Sequence, residues 1–201
     1  MTATPLTIDG AWLFEPRVFP DDRGTFAAPF QAPAFRAALG FDLTLAQANR
    51  SVSRRGVIRG IHYADVPPGQ AKYVHVDAGS IRDVLVDLRR GSPTFGRHEA
   101  VDLSADDGRA VYLAEGLGHG FQALEDGTVV GYLCSTSYDP SAEHGIDPFD
   151  PDLALPWVPG LDPVVSGKDR AAPSLRHALD AGALPLVNLC DEQYRALRGT
   201  R

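Results

Sequence analysis

The sequence predicts an all-β protein built as a double-sheet barrel or jelly roll, with a few short helices. The 20 Gly and 16 Pro residues are scattered and divide the chain into short segments, a spacing typical of all-β folds. Hydrophobic residues make up 44% of the 201 residues, enough for one domain with a sizeable core. Ten segments have β character, and so many strands in one domain imply two packed sheets. They are residues 6–8, 17–19, 43–49, 56–63, 71–78, 80–87, 98–103, 110–113, 119–123 and 128–134.

The segment 80–87 has the character of a buried strand. Three apolar residues follow one another from Val84 to Val86, which indicates burial on both faces of the sheet. A turn at 77–80 connects this strand to the preceding one. The sequences PPGQ at 67–70 and RGSPTFG at 90–96 are typical of loops.

Three helices are predicted. The first covers 33–39 and ends at Gly40. The second, at 173–181, is rich in Ala and Leu and stops at Gly182, and a third covers 190–197. Because no linker or repeat is visible, we expect a single domain over 1–201. Its barrel core lies at about 43–135 and its C-terminal helical segment at about 173–198.

Composition and charge exclude several classes of protein. The formal net charge is -7 and no basic stripe is visible, so nucleic-acid binding is not expected. No apolar run approaches 18 residues and no signal peptide is evident, so no membrane association is expected. Two cysteines, Cys134 and Cys190, form no CxxC pair and suit the reducing cytoplasm.

The histidines are the first candidates for chemistry. Arg59 and His62 belong to one β segment, where residues three apart point to opposite faces. They converge only if Gly60 forms a bulge, as glycine in a strand often does. His119 lies among three glycines and suits either a turn at a barrel mouth or a packing kink. His75 is interpreted as structural, and no H-x-H pair is present, so we expect no metal site.

Lysine, tyrosine and aspartate supply further candidates. Lys72 lies in an apolar β run, where burial is costly unless the ammonium has a partner or a task; the alternative is an edge-strand lysine. Tyr132 and Tyr138 suit core packing, proton donation or stacking on a base. Asp169 lies in a polar loop and, taken alone, suits a helix cap.

Longer motifs carry more information than these single residues. They include DRGTF at 22–26, QANRSVS at 47–53, RGIHY at 59–63, PPGQAKYV at 67–74, VDLRRGSPTFG at 86–96, GHGF at 118–121 and SGKD at 166–169. In this order, from about residue 8 to about residue 185, the series closely resembles the dTDP-4-dehydrorhamnose 3,5-epimerase family. PPGQAKYV and AGALP at 181–185 resemble the branch that makes actinomycete natural-product deoxysugars.

The resemblance implies a fold, an activity and roles for residues. It implies a cupin-type double-stranded β-helix (jelly-roll barrel), a homodimer and no cofactor. It also implies a dTDP-linked 4-keto-6-deoxysugar as substrate, epimerised at C3 and C5 through an enolate. The implied catalytic set is His62 as base, Asp169 as its partner, Tyr132 as proton donor and Lys72 as the enolate's counter-charge. The implied substrate contacts are Arg23, Gln47, Asn49, Arg59, His119, Tyr138, Glu143 and Lys168.

One departure and three alternatives accompany the resemblance. Ala28 stands where the family usually has Glu, so a sugar contact is missing or replaced. A C3-only epimerase needs the same base and acid, and a 3,4-ketoisomerase uses similar proton transfers. A non-catalytic sugar-binding or metal-binding cupin would not need this acid–base set.

Overall fold

The computed structural model describes residues 1–199, which form thirteen strands and four helices. The strands are β1 (Thr2–Pro5), β2 (Ala11–Glu15), β3 (Phe19–Asp21), β4 (Gly24–Phe26), β5 (Gln47–Ser53), β6 (Ile58–Ala64), β7 (Lys72–Ala78), β8 (Ser80–Asp87), β9 (His98–Ser104), β10 (Ala110–Leu113), β11 (Leu117–Ala123), β12 (Thr128–Cys134) and β13 (Glu143–Gly145). The helices are α1 (Ala32–Leu39), α2 (Gly167–Arg170), α3 (Leu175–Asp180) and α4 (Val187–Gly199).

The strands form two larger antiparallel sheets and one separate hairpin. The six-stranded sheet has the order β1-β2-β10-β7-β12-β5, and the five-stranded sheet has the order β13-β6-β11-β8-β9. Strands β3 and β4 pair only with each other. The fold is thus mostly β with a few short helices, as predicted. Within residues 1–199 the hydrogen-bonded strands make two separate sheets and do not close into one continuous barrel.

The main core lies between the two large sheets. Val74 of β7 and Val111 of β10 pack there against Leu85 of β8 and Phe121 of β11, and all four are at most 3% exposed. Each of these strands alternates its side chains between two faces, so one face of each sheet supplies this core.

Both outer sheet faces are covered as well. Val84 and Val86 pack outside the five-stranded sheet against a cluster that includes Leu175 of α3, while Leu85 points inward. This confirms the predicted burial of β8 on both faces. On the far side, Phe14 and Tyr73 of the six-stranded sheet pack against Phe35 of α1 in an aromatic cluster.

Several predicted strands are displaced or wrong. Residues 6–8 are irregular and lead into a turn at 8–11, where Ala11 N–H bonds to Ile8 O and Leu6 N–H bonds to Ala11 O. Most of 17–19 is irregular, and the strand predicted at 43–49 is β5, four residues further on. Strands 80–87, 110–113 and 128–134 are confirmed at both ends. The sequence pattern did not predict four of the observed strands, namely β1, β2, β4 and β13.

The helices depend on their caps. Helix α1 begins one residue before the predicted start and ends at Gly40, whose φ of +88° and N–H bond to Arg36 O close the last turn. Ser166 caps α2 and Ser174 caps α3. Each serine hydroxyl accepts a hydrogen bond from the backbone N–H three residues later, which belongs to Asp169 and His177, respectively. The predicted 173–181 helix is therefore shorter, and α2 was not predicted.

Helix α4 begins at Val187, three residues before the predicted start. Residues 200–201, the end of the predicted domain, lie outside the described residues. Among residues 1–199, none of the helices has the length and apolar character needed to cross a membrane.

Candidate active site

A cavity of about 450 Å³ opens between the two sheets and is bordered by α2. It brings together all the predicted site residues except Arg23 and Gln47. Those that line it are Asn49, Arg59, His62, Lys72, His119, Tyr132, Tyr138, Glu143, Lys168 and Asp169. Residues separated by up to 120 positions in the sequence thus face one space.

Cross-strand register explains the side of the cavity made by the six-stranded sheet. Tyr132 of β12 lies opposite Asn49 of β5, and Cys134 lies opposite Lys72 of β7. Directly opposed residues in an antiparallel pair point to the same face, so these side chains share the inner face with the core residue Val74. The polar side chains on this face form the cavity wall beyond the apolar side chains of the core.

A bulge at Gly60 brings Arg59 and His62 to the same cavity. His62 pairs with His119, but Arg59 pairs with Phe121, so β6 has one residue more than β11 between these pairs. Gly60 has φ of +118°, and a Cβ there would lie 2.5 Å from both Gly120 Cα and His119 O. The conditional prediction of convergence through a glycine bulge is confirmed.

His62 and Asp169 form a close pair. His62 Nε2 lies 2.7 Å from Asp169 Oδ1, and the Asp169 side chain is only 7% exposed. Burial raises the pKa of Asp169, but hydrogen bonds from His62, Ser166 and Gly60 and the attraction of the imidazole bring it below its ordinary value. Asp169 is therefore an acceptor, so Nε2 carries a proton and Nδ1 is left to accept one.

A second histidine–aspartate pair lies beside the first. His119 Nε2 is 2.7 Å from Asp83 Oδ2, and the Asp83 side chain is fully buried. The other carboxylate oxygen, Oδ1, has no hydrogen-bond partner among the described residues. His75 is separate from both pairs: it contacts Asp77 at 3.3 Å and does not line the cavity. His75 therefore stands apart from His62 and His119, which both line the cavity.

Lys72 lies in the interior of the six-stranded sheet and is 8% exposed, so the edge-strand interpretation is wrong. Burial lowers the pKa of its ammonium, while the charges of Glu143, Cys134 and Asp83 act in the opposite direction. A lysine so placed can lie close to a developing oxyanion with little competition from water.

Tyr132 is half-buried in the same wall. Burial is the main cause that raises the pKa of its phenol, with smaller contributions from Cys134 and Glu143, while Arg59 and a hydrogen bond with Asn49 act in the opposite direction. Burial likewise raises the pKa of the Cys134 thiol. The phenol and the thiol are therefore both protonated at neutral pH, and the phenol can donate a proton into the cavity.

Gln47 takes part in a hydrogen-bond chain at the cavity rim rather than lining the cavity. Its Oε1 accepts from Tyr138 N–H at 2.9 Å, and its Nε2 donates to Asn49 Oδ1 at 2.7 Å. Asn49 Nδ2 in turn lies 3.5 Å from Cys134 Sγ. Strand β12 ends at Cys134, so Tyr138 reaches the cavity from the loop that follows the strand.

Arg23 lies away from the cavity of its own chain. It is in the tip of the β3–β4 hairpin, where its guanidinium bonds to Asp21 and its side chain is 89% exposed. Arg59, by contrast, lines the cavity and donates to Ser53 Oγ and Val52 O, both at 3.2 Å. Only one of the two predicted arginine contacts is therefore present in the cavity.

Sequence reasoning missed several lining residues. Ser51 shares a strand face with Asn49, and Gln70 belongs to the PPGQ loop, so alternation and motif position could have identified both. Val164 and Val165 come from an irregular segment that a bridge between Val57 and Val164 holds in place. Nothing local in the sequence signals this contact.

Comparisons with known proteins identify the class of enzyme. The family model described as dTDP-4-dehydrorhamnose 3,5-epimerase matches residues 5–177. A Streptomyces griseus protein of that name is 50% identical over 98% of both chains. The Mycobacterium tuberculosis rmlC epimerase structure has a TM-score of 0.95 and 45% identity, covering 98% of this chain and 100% of its own.

A 3'-monoepimerase from Streptomyces bikiniensis, solved in complex with dTDP-quinovose, has a TM-score of 0.94 and 46% identity, covering 96% and 98% of the two chains. The shared fold and the family match identify the protein as a sugar-nucleotide epimerase, which is an isomerase. The chain belongs to the dTDP-4-dehydrorhamnose 3,5-epimerase family.

Proposed function

We propose that the protein epimerises a dTDP-4-keto-6-deoxyhexose at C3 and C5 through an enolate, in deoxysugar biosynthesis. The observation that carries this proposal is the convergence of four groups on one cavity: the His62–Asp169 pair, the buried Lys72 and the phenol of Tyr132. A hydrogen beside a ketone is a weak acid, so its removal needs a base together with a charge that stabilises the oxyanion.

Each inversion uses each of the four groups once. His62 Nδ1 takes the proton from C3 or C5, and the electron pair of that C–H bond passes into the enolate. Asp169 stabilises the resulting imidazolium, and Lys72 stabilises the negative charge on O4. Tyr132 then gives its proton to the opposite face of the same carbon, which inverts the centre. His119, held by Asp83, contacts the substrate and not the reacting carbon.

The remaining predicted contacts would bind the nucleotide. Arg59 and Lys168 line the cavity and carry the positive charge that suits a diphosphate, which explains how a protein of net charge -7 holds an anion. Tyr138 is 51% exposed at the rim, a position suited to stacking on thymine. Gln47 would act by positioning Asn49 and the Tyr138 loop. Asn49 and Glu143 remain proposed sugar contacts.

The test is solvent deuterium incorporation into dTDP-4-keto-6-deoxyglucose, followed by NMR. We expect label at C3 and C5, together with inversion at both carbons. Label at C3 alone would make the protein a C3 epimerase, the activity named for the Streptomyces bikiniensis relative. A 3-keto product without inversion would identify a ketoisomerase, and tight binding without any exchange would contradict an enzymatic role.

We propose that the protein acts as a homodimer in which the hairpin of one copy completes the site of the other. Phe19 and Phe26 of the hairpin are 46% and 68% exposed, and Arg23 lies at its tip away from its own cavity. If Arg23 binds diphosphate, as the family resemblance implies, it must reach a second copy's cavity. Exposed aromatic rings beside it suit such a contact.

Complementation between inactive variants tests the dimer. Arg23→Ala and His62→Ala are each expected to be nearly inactive. After mixing and subunit exchange, a heterodimer contains one site with both His62 and the second copy's Arg23, so activity returns. A mixture that stays inactive although heterodimers form would contradict the shared site.

We propose that residues 1–201 form one cupin domain with double-stranded β-helix topology. From β5 to β8 successive strands alternate between the two sheets, and from β9 to β12 they alternate again, which is the pattern of a jelly roll. We also propose a cytoplasmic location, which the two free cysteines Cys134 and Cys190 support. A limited-proteolysis fragment map and cell fractionation test these two proposals.

A further inference from the structure

A separate cavity, of about 180 Å³, is bordered by helix α4, strand β10 and the loop that precedes β7. It shares no lining residue with the main cavity and has less than half of its volume. A site for one water needs only about 10–15 Å³, so this space has room for a larger molecule. None of the proposed catalytic steps uses it.

The wall of this cavity contains a buried carboxyl group without a cation. Glu115, in the turn between β10 and β11, is 5% exposed. None of the salt bridges formed within residues 1–199 includes it. Burial raises the pKa of this carboxyl, and the hydrogen bonds from its own N–H and from Ser135, at 3.4 Å, oppose that only in part. An ionised Glu115 therefore lacks the counter-ion that a buried charge needs.

A buried phenol beside Glu115 also lacks a partner. Tyr112 of β10 lines the cavity and is fully buried, and its Oη has no hydrogen-bond partner in the described part of the chain. Burial raises the pKa of this phenol well above its ordinary value, and the nearby charge of Glu115 adds to the effect. Buried polar atoms in folded proteins are nearly always hydrogen-bonded, so the Tyr112 hydroxyl is a group available to a ligand.

The charge of the wall favours a cation. Glu115 and Asp42 are the acidic lining residues, and Asp42 is exposed and already bonded to Arg36. No Lys, Arg or His among residues 1–199 lines the cavity. An anion would meet only negative charge here, whereas a cation could pair with Glu115. The main cavity, with Arg59 and Lys168, has the opposite character.

The acceptors and the apolar surface of the wall define the kind of cation. The carboxylate of Glu115, the Oη of Tyr112 and the side-chain carbonyl of Gln193 can each accept a hydrogen bond, which matches the three N–H donors of a primary ammonium. A cavity with apolar walls and a few polar groups is typical of small-molecule sites. The apolar side chains in this lining are Phe41, Leu43, Pro68, Ala71 and Leu197.

Neighbouring segments hold Glu115 in place. A Cβ at Gly69 would lie 2.6 Å from both Cβ and Cγ of Glu115, so the loop before β7 packs directly on this side chain. Thr136 Oγ1 donates to Gly69 O at 2.9 Å, and Ala71 N–H donates to Ser135 Oγ at 2.8 Å. The cavity is therefore formed before a ligand binds, which limits the conformational entropy lost on binding.

We propose that this cavity binds a small primary ammonium ion that carries a short apolar chain. The ammonium donates to the Glu115 carboxylate and to Tyr112 Oη, and the chain packs against Phe41 and Leu197. A cation beside the carboxylate supplies the counter-charge that Glu115 lacks within the fold. Binding here needs no turnover in the main cavity, so the proposal can fail or succeed separately from the epimerase function.

Calorimetry with n-butylammonium chloride tests the site, both in the presence and in the absence of saturating dTDP. The nucleotide is expected to occupy the main cavity, where Glu143 and Asp169 could otherwise attract a cation. We expect one saturable site per chain, with the same affinity in both conditions. Butan-1-ol has the same chain without the charge, and we expect no saturable binding of it at the same concentrations.

Two variants locate the binding. Glu115→Gln keeps the shape of the side chain and should weaken butylammonium binding about tenfold or more. Glu192→Gln is the matched control, because Glu192 is exposed on α4 and does not line the cavity, and it should bind as the wild type does. If Glu115→Gln does not fold, Tyr112→Phe removes a hydroxyl that has no partner within residues 1–199, and binding should weaken several-fold.

Four results would overturn the proposal. They are a wild-type protein that binds no butylammonium, binding that dTDP abolishes, equal binding of butan-1-ol, and wild-type affinity in the folded Glu115→Gln or Tyr112→Phe variant.

Discussion

Replacing Asp169 by Asn tests the base with little change in shape. Asp169 accepts a 2.7 Å hydrogen bond from His62 Nε2, and its side chain is 7% exposed. Asparagine has the same size, but its amide can donate to Nε2 and so leaves the imidazole proton on Nδ1. In that tautomer the nitrogen that should accept the substrate's proton is already occupied.

The magnitude follows from the charge-assisted hydrogen bond. A hydrogen bond to a charged group contributes about 1.5–3 kcal/mol. Because about 1.36 kcal/mol of barrier is a factor of ten, losing this stabilisation of the imidazolium slows proton removal about 10- to 150-fold. The unfavourable tautomer adds to this, and we expect a total loss within the range of about 10²- to 10⁴-fold that general-base removal produces.

The assay is the initial rate of deuterium exchange at C3 and C5, with dTDP binding measured separately by calorimetry. Asp77→Asn is the matched control, since Asp77 pairs with His75 outside the cavity and is half exposed. We expect it to exchange at the wild-type rate. The reasoning fails if Asp169→Asn binds dTDP normally and exchanges less than about tenfold more slowly than wild type.

Three further substitutions test the donor, the bulge and the buried ion pair. Tyr132→Phe should still exchange the proton on the His62 side but invert about 10²- to 10⁴-fold more slowly, which NMR of label against configuration separates; equal losses of both would contradict its role as donor. Gly60→Ala puts a Cβ 2.5 Å from backbone atoms at positive φ, and it should lower the free energy of unfolding in urea by at least about 1–3 kcal/mol; unchanged stability would show that the bulge is not required. Asp87 is fully buried with a bidentate bond from Arg89, so Asp87→Asn should cost about 3–5 kcal/mol at pH 7. Burial raises the pKa of Asp87, but hydrogen bonds from Arg89, Ser92 and Thr94 bring it below its ordinary value. The stabilisation from Asp87 is therefore complete above the pKa of the unfolded state and is lost as the pH falls through the pKa of the folded state. The wild type should lose more stability on acidification than Asp87→Asn, and parallel pH profiles would refute this.

Local pattern was sufficient for the interior of the fold and insufficient at its edges. Strands β8, β10 and β12 lie within the sheets, so their apolar runs reflect burial directly and their bounds were predicted. Strand β13 is a three-residue sheet edge with half-buried polar side chains, and β1 is mostly exposed. Their pairing depends on partners far along the chain, which a local pattern does not encode.

For the site, the resemblance of the motifs identified the residues, and the fold determined where their side chains lie. With strict alternation along β6, the side chains of Arg59 and His62 would point to opposite faces of the sheet. The register shift at Gly60 brings both side chains to the same cavity. Arg23 shows the opposite case: its motif was recognised, but the hairpin holds it away from its own cavity. The side chain of Gln47 accepts a hydrogen bond from Tyr138 N–H, in the loop that follows β12. No rule of sequence spacing predicts the path of that loop.

The charges around Lys72 explain why a buried ammonium suits this chemistry. Burial alone would favour loss of its proton, and Glu143 and Asp83 oppose that loss. If these carboxylates neutralised the ammonium by direct bonds, it would have little attraction left for an enolate. No salt bridge to Lys72 within 4.0 Å is formed among residues 1–199, so the carboxylates act on it from a distance. The carboxylates thus oppose the loss of the ammonium proton that burial favours, while the hydrogen bonds of the ammonium remain available to the oxygen that becomes negative during proton removal.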